Sequence, residues 1–526
     1  MLKTIGSKAS VWDYVIITAS NEQQAISFRE QIELRCSRGL LPASTVWGVV
    51  PDPPGERVGN GGALFGAMRF IYEHRGGDSS FSGIKALVIL SSGDSRRVPQ
   101  YSAMGKIFSP VPRVLPDGRP STLFDEIILG FSSIPSRMSD GIVVLSGDVL
   151  LSFCADSFVV SGGEDAIAIS FPELADGFVD HGVFLSSPSG NIAKVWHKLP
   201  VSVLRSYGAV DDFGNVNIDT GAVFFAPWVL SSLFSLVCDS SGICSFDSFH
   251  KYVNEVVAPS LYVDFFYPLA EDSTYEGYLA EIPEGRMSPE LLAFRELVWG
   301  LLRPYRIKLL SMSPSKFIHF GTTSDVHSLM SSGIDSYAYL GWRRQVCSGV
   351  SNPNVACYSS SIDSSVVVGA GAYIENSIVA GSSVIGSDTI VSCCRIVDRT
   401  IPSGVVLHCL KLVSGGFVCR IYGVWDNPKW ILHEGASLCG FDLCAFMTSL
   451  GLSSFDLWHE GEEQSIWNAR LYPECSTVEA AQNAALNLYA LLSGSGDLHS
   501  WRNSSRHSLC SSFNKADGKS LCNWEK

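Results

Sequence analysis

The stretch Ala86-Leu87-Val88-Ile89-Leu90-Ser91-Ser92-Gly93-Asp94-Ser95-Arg96-Arg97-Val98-Pro99, continuing to Gly105-Lys106-Ile107-Phe108, decides how the rest of the chain is read. Ala86 to Leu90 is an apolar run the length of one buried strand, and it opens straight into a turn of small residues carrying two arginines. Backbone N–H groups in such a turn surround an anion closely because no bulky side chain intervenes, and the fixed cations Arg97 and Lys106 would hold its charge. The stretch therefore reads as a phosphate cradle at the end of a parallel strand.

The remaining sequence bounds what that phosphate belongs to. With 526 residues, 46% of them apolar, the chain can bury more than one core, so two or three domains are expected. A net charge of −14 argues against nucleic acid or an acidic membrane surface as principal partner. No apolar run approaches the ~18 residues that span a bilayer, and Met1 begins no basic-then-apolar leader, so a cytoplasmic protein is expected. The fifteen cysteines are scattered, and the close pairs Cys393-Cys394 and Cys439/Cys444 lack Cys-x-x-Cys spacing, which reads as plain buried thiols.

On the N-terminal side, Tyr14 to Thr18 reads as a strand and Glu22 to Cys36 as a helix. Gly59-Asn60-Gly61-Gly62 then leads into a helical pattern from Ala63 to His74. These glycines suit either a second anion contact at a helix N-terminus or a simple turn into the helix, and spacing does not choose between the two.

On the C-terminal side, Gly141 to Leu145 is a buried strand ending in Ser146-Gly147-Asp148. A carboxylate at the C-terminal end of a parallel strand faces the crevice where such sheets bind ligands, which makes Asp148 a candidate Mg2+ ligand or else a turn cap. His181-Gly182-Val183-Phe184 begins a strand, Lys198 ends an extended segment, and Asn217-Ile218-Asp219-Thr220-Gly221 places a second carboxylate beside a strand. Taken alone, Lys198 reads as a surface charge and Asp219 as a turn residue.

Past Ser364 the texture changes. Val366, Ile378, Val384, Ile390 and Ile396 stand at multiples of six among Ser, Gly and Ala, the pattern of a parallel β-helix with one aliphatic on each flat side. Farther on, Ser476 reads as an N-cap, with Glu479 at the capping-box position, before a helix at 477–492 that would pack on the coil. The Ser/Asn/Lys-rich tail from Ser493 is expected to fray.

The order of these motifs resembles the sugar-1-phosphate nucleotidyltransferases, whose signature loop has the form G-G-x-[GS]-x-R-[LV]-P…K. Within that superfamily the chain is similar to the fucose-1-phosphate guanylyltransferases (GDP-L-fucose pyrophosphorylases) and to the amino-terminal half of the bifunctional fucokinase/GDP-fucose pyrophosphorylases. The residues that carry the similarity are Trp12 to Ala19, Gly59 to Gly62, Gly105 to Phe108, His181 to Phe184, His319-Phe320-Gly321-Thr322, Tyr422-Gly423, Asp426-Asn427-Pro428-Lys429 and Trp467-Asn468-Ala469-Arg470. Two departures stand out: Ser92 replaces a glycine, and Leu199 separates Lys198 from Pro200.

The resemblance implies an α/β fold in three parts: a Rossmann-like nucleotidyltransferase domain over 1–345, a short left-handed parallel β-helix over 346–415, and a mixed, partly helical region over 416–526. It implies GTP and L-fucose 1-phosphate as substrates and GDP-L-fucose and pyrophosphate as products. The competing expectations are a mannose or glucose 1-phosphate substrate, or an inactive nucleotide-binding subunit. Gly93, Asp94, Ser95 and Arg97 would hold the GTP phosphates, with Lys106 at the α-phosphate. Asp148 and Asp219 would hold Mg2+, Lys198 would meet the sugar phosphate, and His181-Gly182 the fucose. Asn60, Gly61 and Gly62 would approach guanine or phosphate. The bifunctional relatives imply a sugar kinase as a fused or associated partner, but no P-x-G-x-G-L-G-x-S-S loop occurs and the chain stops at Lys526, so no fucokinase activity is expected.

Overall fold

The computed structural model describes residues 10–91, 93–178, 181–283, 285–350 and 352–522. Ser92, where the signature loop departs from its family form, lies outside them. The fold is mixed α/β, with parallel and antiparallel sheets. Packing divides it into two units: residues 1–92 with 126–318, and residues 93–125 with 319–526. The signature loop is thus grouped with the C-terminal half of the chain, although its strand belongs to the N-terminal half.

The first unit is built on a nine-stranded sheet. Its strands are β1 (Tyr14–Ala19), β2 (Val46–Pro51), β3 (Lys85–Leu90), β4 (Gly141–Ser146), β5 (Ala166–Leu174), β6 (Gly182–Ser186), β7 (Ile192–His197), β8 (Asn215–Phe225) and β9 (Ile307–Ser311). The order is β7-β6-β8-β4-β3-β1-β2, with β5 pairing both β8 and β9. β2, β1, β3 and β4 run parallel, whereas β8 is antiparallel to β4, β5 and β6. The parallel strands read as unbroken apolar runs because both faces are covered, and Ile16, Ile17, Leu87, Val88, Ile142 and Val143 are wholly buried. Helices α1 (Glu22–Ser37) and α2 (Gly59–His74) are the crossovers between β1, β2 and β3. The Asn21 side chain caps α1 by accepting from the Gln24 amide at 2.9 Å.

The second unit stacks short strands into three ladders. One runs Ala356–Tyr358, Tyr373–Glu375, Ile390–Ser392; the second Ser361–Ile362, Ile378–Ala380, Arg395–Val397; the third Val367–Val368, Val384–Ile385, Thr400–Ile401. All are parallel, and partners such as Ala356, Tyr373 and Ile390 stand 17 residues apart. Ser359, Asn376 and Cys393 repeat at the same interval with φ of 46°, 46° and 53°, so each coil turns at a left-handed residue. Ser360, Ser377 and Cys394 follow them as an internal ladder in which each side chain of one coil meets the next amide: Ser377 N–H donates to Ser360 Oγ at 3.1 Å and Cys394 N–H to Ser377 Oγ at 3.0 Å. Two antiparallel strands, Val405–Lys411 and Phe417–Gly423, extend the first ladder.

Three expectations are corrected here. The strict six-residue comb fails: Ile390 and Ile396 are fully buried, but Ile378 and Val384 are 39% and 36% exposed, and their neighbours Val379 and Ile385 fill the interior. A coil of 17 residues falls one short of three hexapeptides, and a one-residue slip in a strand exchanges its faces. The C-terminal helix starts at Val478 with Thr477, not Ser476, as its cap, accepting from the Ala480 amide at 3.1 Å. As far as it is described, to residue 522, the tail is packed: Trp501, Leu509 and Phe513 are buried, and the Trp501 indole N–H donates to Leu471 O at 2.9 Å.

Candidate active site

In the second unit the signature loop lines a cleft of about 290 Å³ formed by Asp94, Ser95, Arg96, Arg97, Lys106 and Lys429. Ser95 sits at φ 51° and Gly105 at φ 81°, left-handed positions that fold the loop back at each end. The two arginines divide the work. Arg96 lies 3.3 Å from Asp94 and 3.8 Å from Glu463, and its guanidinium rests over Trp467. Arg97 is exposed and makes no ion pair among the described residues. Lys106 is only 8% exposed, and its ammonium donates to Gly321 O at 3.2 Å.

The motif His319-Phe320-Gly321-Thr322 explains itself in this setting. Gly321 supplies the carbonyl under Lys106, and a Cβ there would stand 2.6 Å from His319 Cε1. Thr323 opens the helix Thr323–Met330 and donates from both its amide (2.9 Å) and hydroxyl (3.1 Å) to Arg97 O. The turn after the loop is braced from the coil. Tyr422 Oη accepts from the Gln100 amide at 2.9 Å and donates to Gln100 Oε1 at 2.6 Å. Arg420, wholly buried, donates to Pro99 O at 2.6 Å and to Ser102 Oγ at 3.2 Å, and lies 2.7 Å from His408 Nδ1. Burial and the Arg420 charge hold His408 well below the usual histidine range, so its neutral Nδ1 accepts. Tyr101 donates to Glu375 Oε2 at 2.8 Å, and Ser392 to Oε1 at 2.6 Å.

In the first unit, Asp148 follows β4 and Asp219 lies in β8, the strand that pairs with it. Asp148 follows Ser146 at the C-terminal end of β4 and accepts from its hydroxyl at 2.7 Å. β8 reverses past the same end, where a Cβ on Gly221 would stand 2.9 Å from Ser146 Cβ. Asp219 is a strand residue at an irregularity in the β8–β5 ladder, and it accepts from the Gly221 amide at 2.8 Å. Gly147 donates to Leu90 O at 2.9 Å, which ties this corner to the end of β3.

His181, Gly182 and Lys198 come together with Asp219. Gly182 pairs with His197 across β6 and β7, and its Cβ would lie 3.0 Å from Asp219 Cβ. The Lys198 amide donates to His181 O at 3.4 Å, with Lys198 at φ 54°, and its side chain is exposed. Burial, reinforced by the Lys198 charge, lowers the pKa of His197 and keeps its ring neutral. Asn60 and Gly61 open α2 against the segment at 259–261. Asn60 Oδ1 accepts from the Leu261 amide at 2.6 Å, Gly61 N–H donates to Pro259 O at 2.8 Å, and a Cβ on Gly59 would stand 2.5 Å from that same oxygen. These residues carry the Leu261–Phe266 turn, whose Tyr262 hydroxyl lies 3.2 Å from a Cβ placed on Gly221.

The residue that sequence reasoning passed over is Lys429. Its motif, Asp426-Asn427-Pro428-Lys429, was visible as a similarity but carried no chemistry until the fold brought it to the loop. The three sulfurs of Cys394, Cys409 and Cys419, which lie within 4.8 Å of one another, were likewise hidden because they come from separate strands.

Within the second unit, four cations line a loop of small residues, the kind of setting that suits a phosphorylated ligand. A profile described as the fucose pyrophosphorylase domain matches residues 78–477, and the chain belongs to the fucose pyrophosphorylase family. It is 26% identical to the fucose-1-phosphate guanylyltransferase of Mus musculus, the alignment covering 91% of this chain and 86% of that protein. The Homo sapiens protein of the same name is 25% identical, with 92% and 84% covered. The bifunctional fucokinase/GDP-fucose pyrophosphorylase of Arabidopsis thaliana is 28% identical over 98% of this chain, which spans about half (52%) of that relative's length.

Proposed function

We propose that the chain joins GTP and L-fucose 1-phosphate into GDP-L-fucose and pyrophosphate. The observation that carries the reading is the cation-lined signature loop inside a chain aligned along 91% of its length with a fucose-1-phosphate guanylyltransferase. In this reaction a phosphate oxygen of the sugar phosphate attacks the α-phosphorus of GTP in line, that bond forms as the α–β bridge breaks, and the electron pair leaves with pyrophosphate. No side-chain nucleophile is needed, so the protein's task is to position two mutually repelling anions and offset charge.

On this reading the Gly93–Ser95 backbone and Arg97 hold the nucleotide phosphates, and Lys106, kept in place by Gly321 O, faces the α-phosphate. Lys198 meets the sugar phosphate, with His181 and Gly182 beside the fucose. Asp148, Asp219 and the Ser146 hydroxyl form an all-oxygen donor set, the kind Mg2+ prefers, and these are the residues that would hold it. When bound, Mg2+ supplies charge neutralisation for the phosphates. The neutral His197 ring beside Lys198 adds no positive charge of its own.

The finer architecture belongs to the same proposal. We read residues 1–345 as a Rossmann-like nucleotidyltransferase domain, 346–415 as a left-handed parallel β-helix and 416–526 as a mixed C-terminal region. A sugar kinase is the proposed partner, since relatives from Arabidopsis thaliana and Bacteroides fragilis carry both names in one chain. Among the described residues no helix is long and apolar enough to cross a membrane.

Incubation with GTP, Mg2+ and a panel of sugar 1-phosphates, scored by pyrophosphate release, tests the activity. L-Fucose 1-phosphate should give the highest kcat/KM. Faster release with mannose or glucose 1-phosphate, or none with any sugar, overturns the assignment.

A further inference from the structure

We propose that Lys429 is a ligand for the outer phosphates of the nucleotide and for the pyrophosphate released from them. The inference rests on the proposed activity for its substrate, but its geometry is independent of it. The cleft at the signature loop is lined by Arg96, Arg97, Lys106 and Lys429 against one carboxylate, Asp94. Arg96 is shared with Asp94 and Glu463, and Arg97, Lys106 and Lys429 are the other three cations of the lining. Three cations around a small polar cleft suit an anion of several charges held as a compact group, and a lysine serves such a group as a point charge.

Lys429 is an exposed side chain on a backbone fixed from both sides. Asn427 Oδ1 accepts from the Lys429 amide at 3.1 Å, and Asn427 O accepts from the Trp430 amide at 2.9 Å, which closes the turn. Pro428 O accepts from the Trp467 amide at 2.8 Å, and Trp430 O from the Ile466 amide at 3.1 Å. The buried Asp426 carboxylate accepts from the Gly423 and Cys439 amides at 2.6 and 2.7 Å. A solvated surface lysine needs none of this. A turn anchored through Asp426, Pro428 and Trp430, with its own long cationic side chain lining the cleft, is what presentation of an ammonium to a ligand requires, because the ordering entropy of the backbone is already spent before the ligand arrives.

The role predicted is selective. Lys429 should contribute to nucleotide and pyrophosphate binding and leave the sugar phosphate untouched, since Lys198 is the residue proposed for that anion. The test uses the full chain and inorganic pyrophosphate as the probe, titrated calorimetrically at low and at moderate salt. Lys429→Ala should weaken pyrophosphate binding about tenfold or more, and Lys429→Arg should keep most of it. In turnover, Lys429→Ala should raise KM for GTP with KM for L-fucose 1-phosphate unchanged. An unaltered thermal midpoint is expected, because the side chain is exposed. Pyrophosphate binding by Lys429→Ala equal to wild type, or no pyrophosphate binding by the wild type, overturns the proposal. Loss of binding in Lys429→Ala from a wild type that binds pyrophosphate but makes no GDP-fucose would leave Lys429 as a ligand and instead sink the proposed activity.

Discussion

Arg96 and Arg97 are adjacent and chemically identical, yet the fold gives them different surroundings. Arg96 is bound to Asp94 and Glu463 and covers an indole, whereas Arg97 is held through its backbone by Thr323, and its guanidinium makes no ion pair among the described residues. Removal of one preorganised charge from a transferring phosphate costs on the order of 100-fold or more in rate. Arg97→Ala should therefore lower kcat/KM for GTP by about that factor. Arg96→Ala should cost less than about tenfold, because what it loses is mainly a partly exposed ion pair. Steady-state kinetics of the two variants decides the matter, and equal losses would show that both arginines touch the nucleotide. The sequence singled out Arg97 through the signature loop. It did not show what Arg96 does instead, because Glu463 and Trp467, which engage it together with Asp94, lie far along the chain.

At the scale of the element, the coil shows how a correct pattern can be read in the wrong phase. Small residues around spaced aliphatics did mark parallel strands, but a period of 17 keeps step with a six-residue comb for only part of its length. The phase has a direct energetic consequence. Ile396 is fully buried between coils, so Ile396→Ala should cost about 2–5 kcal/mol through lost transfer energy and a cavity. Ile378, although on the same comb, is 39% exposed, and Ile378→Ala should cost less than about 1 kcal/mol. Denaturant midpoints for the pair separate the two phases, and similar losses would restore the six-residue reading. The strands of the first unit were legible for a simpler reason: a strand covered on both faces is apolar throughout and has no phase to miss.

Across the whole molecule, what the sequence hid is long-range. Gln100 meets Tyr422, Pro99 meets Arg420 and Tyr101 meets Glu375, pairings 322, 321 and 274 residues apart that no local period encodes. Each unit also buries a carboxyl whose pKa is raised by burial: Asp264 in the first, Glu375 in the second. The two differ in their partners. Glu375 receives two hydroxyl hydrogen bonds, from Tyr101 and Ser392, and pairs with no cation among the described residues. Asp264 accepts from the wholly buried Arg295 at 2.7 Å, and from the Ser260 amide at 2.6 Å. A carboxyl raised above its unfolded value contributes stability that is complete below the unfolded pKa, 4.5 for Glu375, and is lost as pH rises through the folded value. Glu375→Gln, neutral at every pH, should therefore lose less thermal midpoint than wild type as pH rises above 4.5, at a cost of about 1 kcal/mol for imperfect hydrogen bonds. Asp264→Asn should instead be destabilised by about 3–5 kcal/mol, because it leaves the Arg295 charge buried without its counter-ion. A Glu375→Gln midpoint that falls with pH as steeply as wild type would mean that Glu375 titrates alike in the folded and unfolded chain, and a mild Asp264→Asn would mean that Arg295 finds its compensation elsewhere.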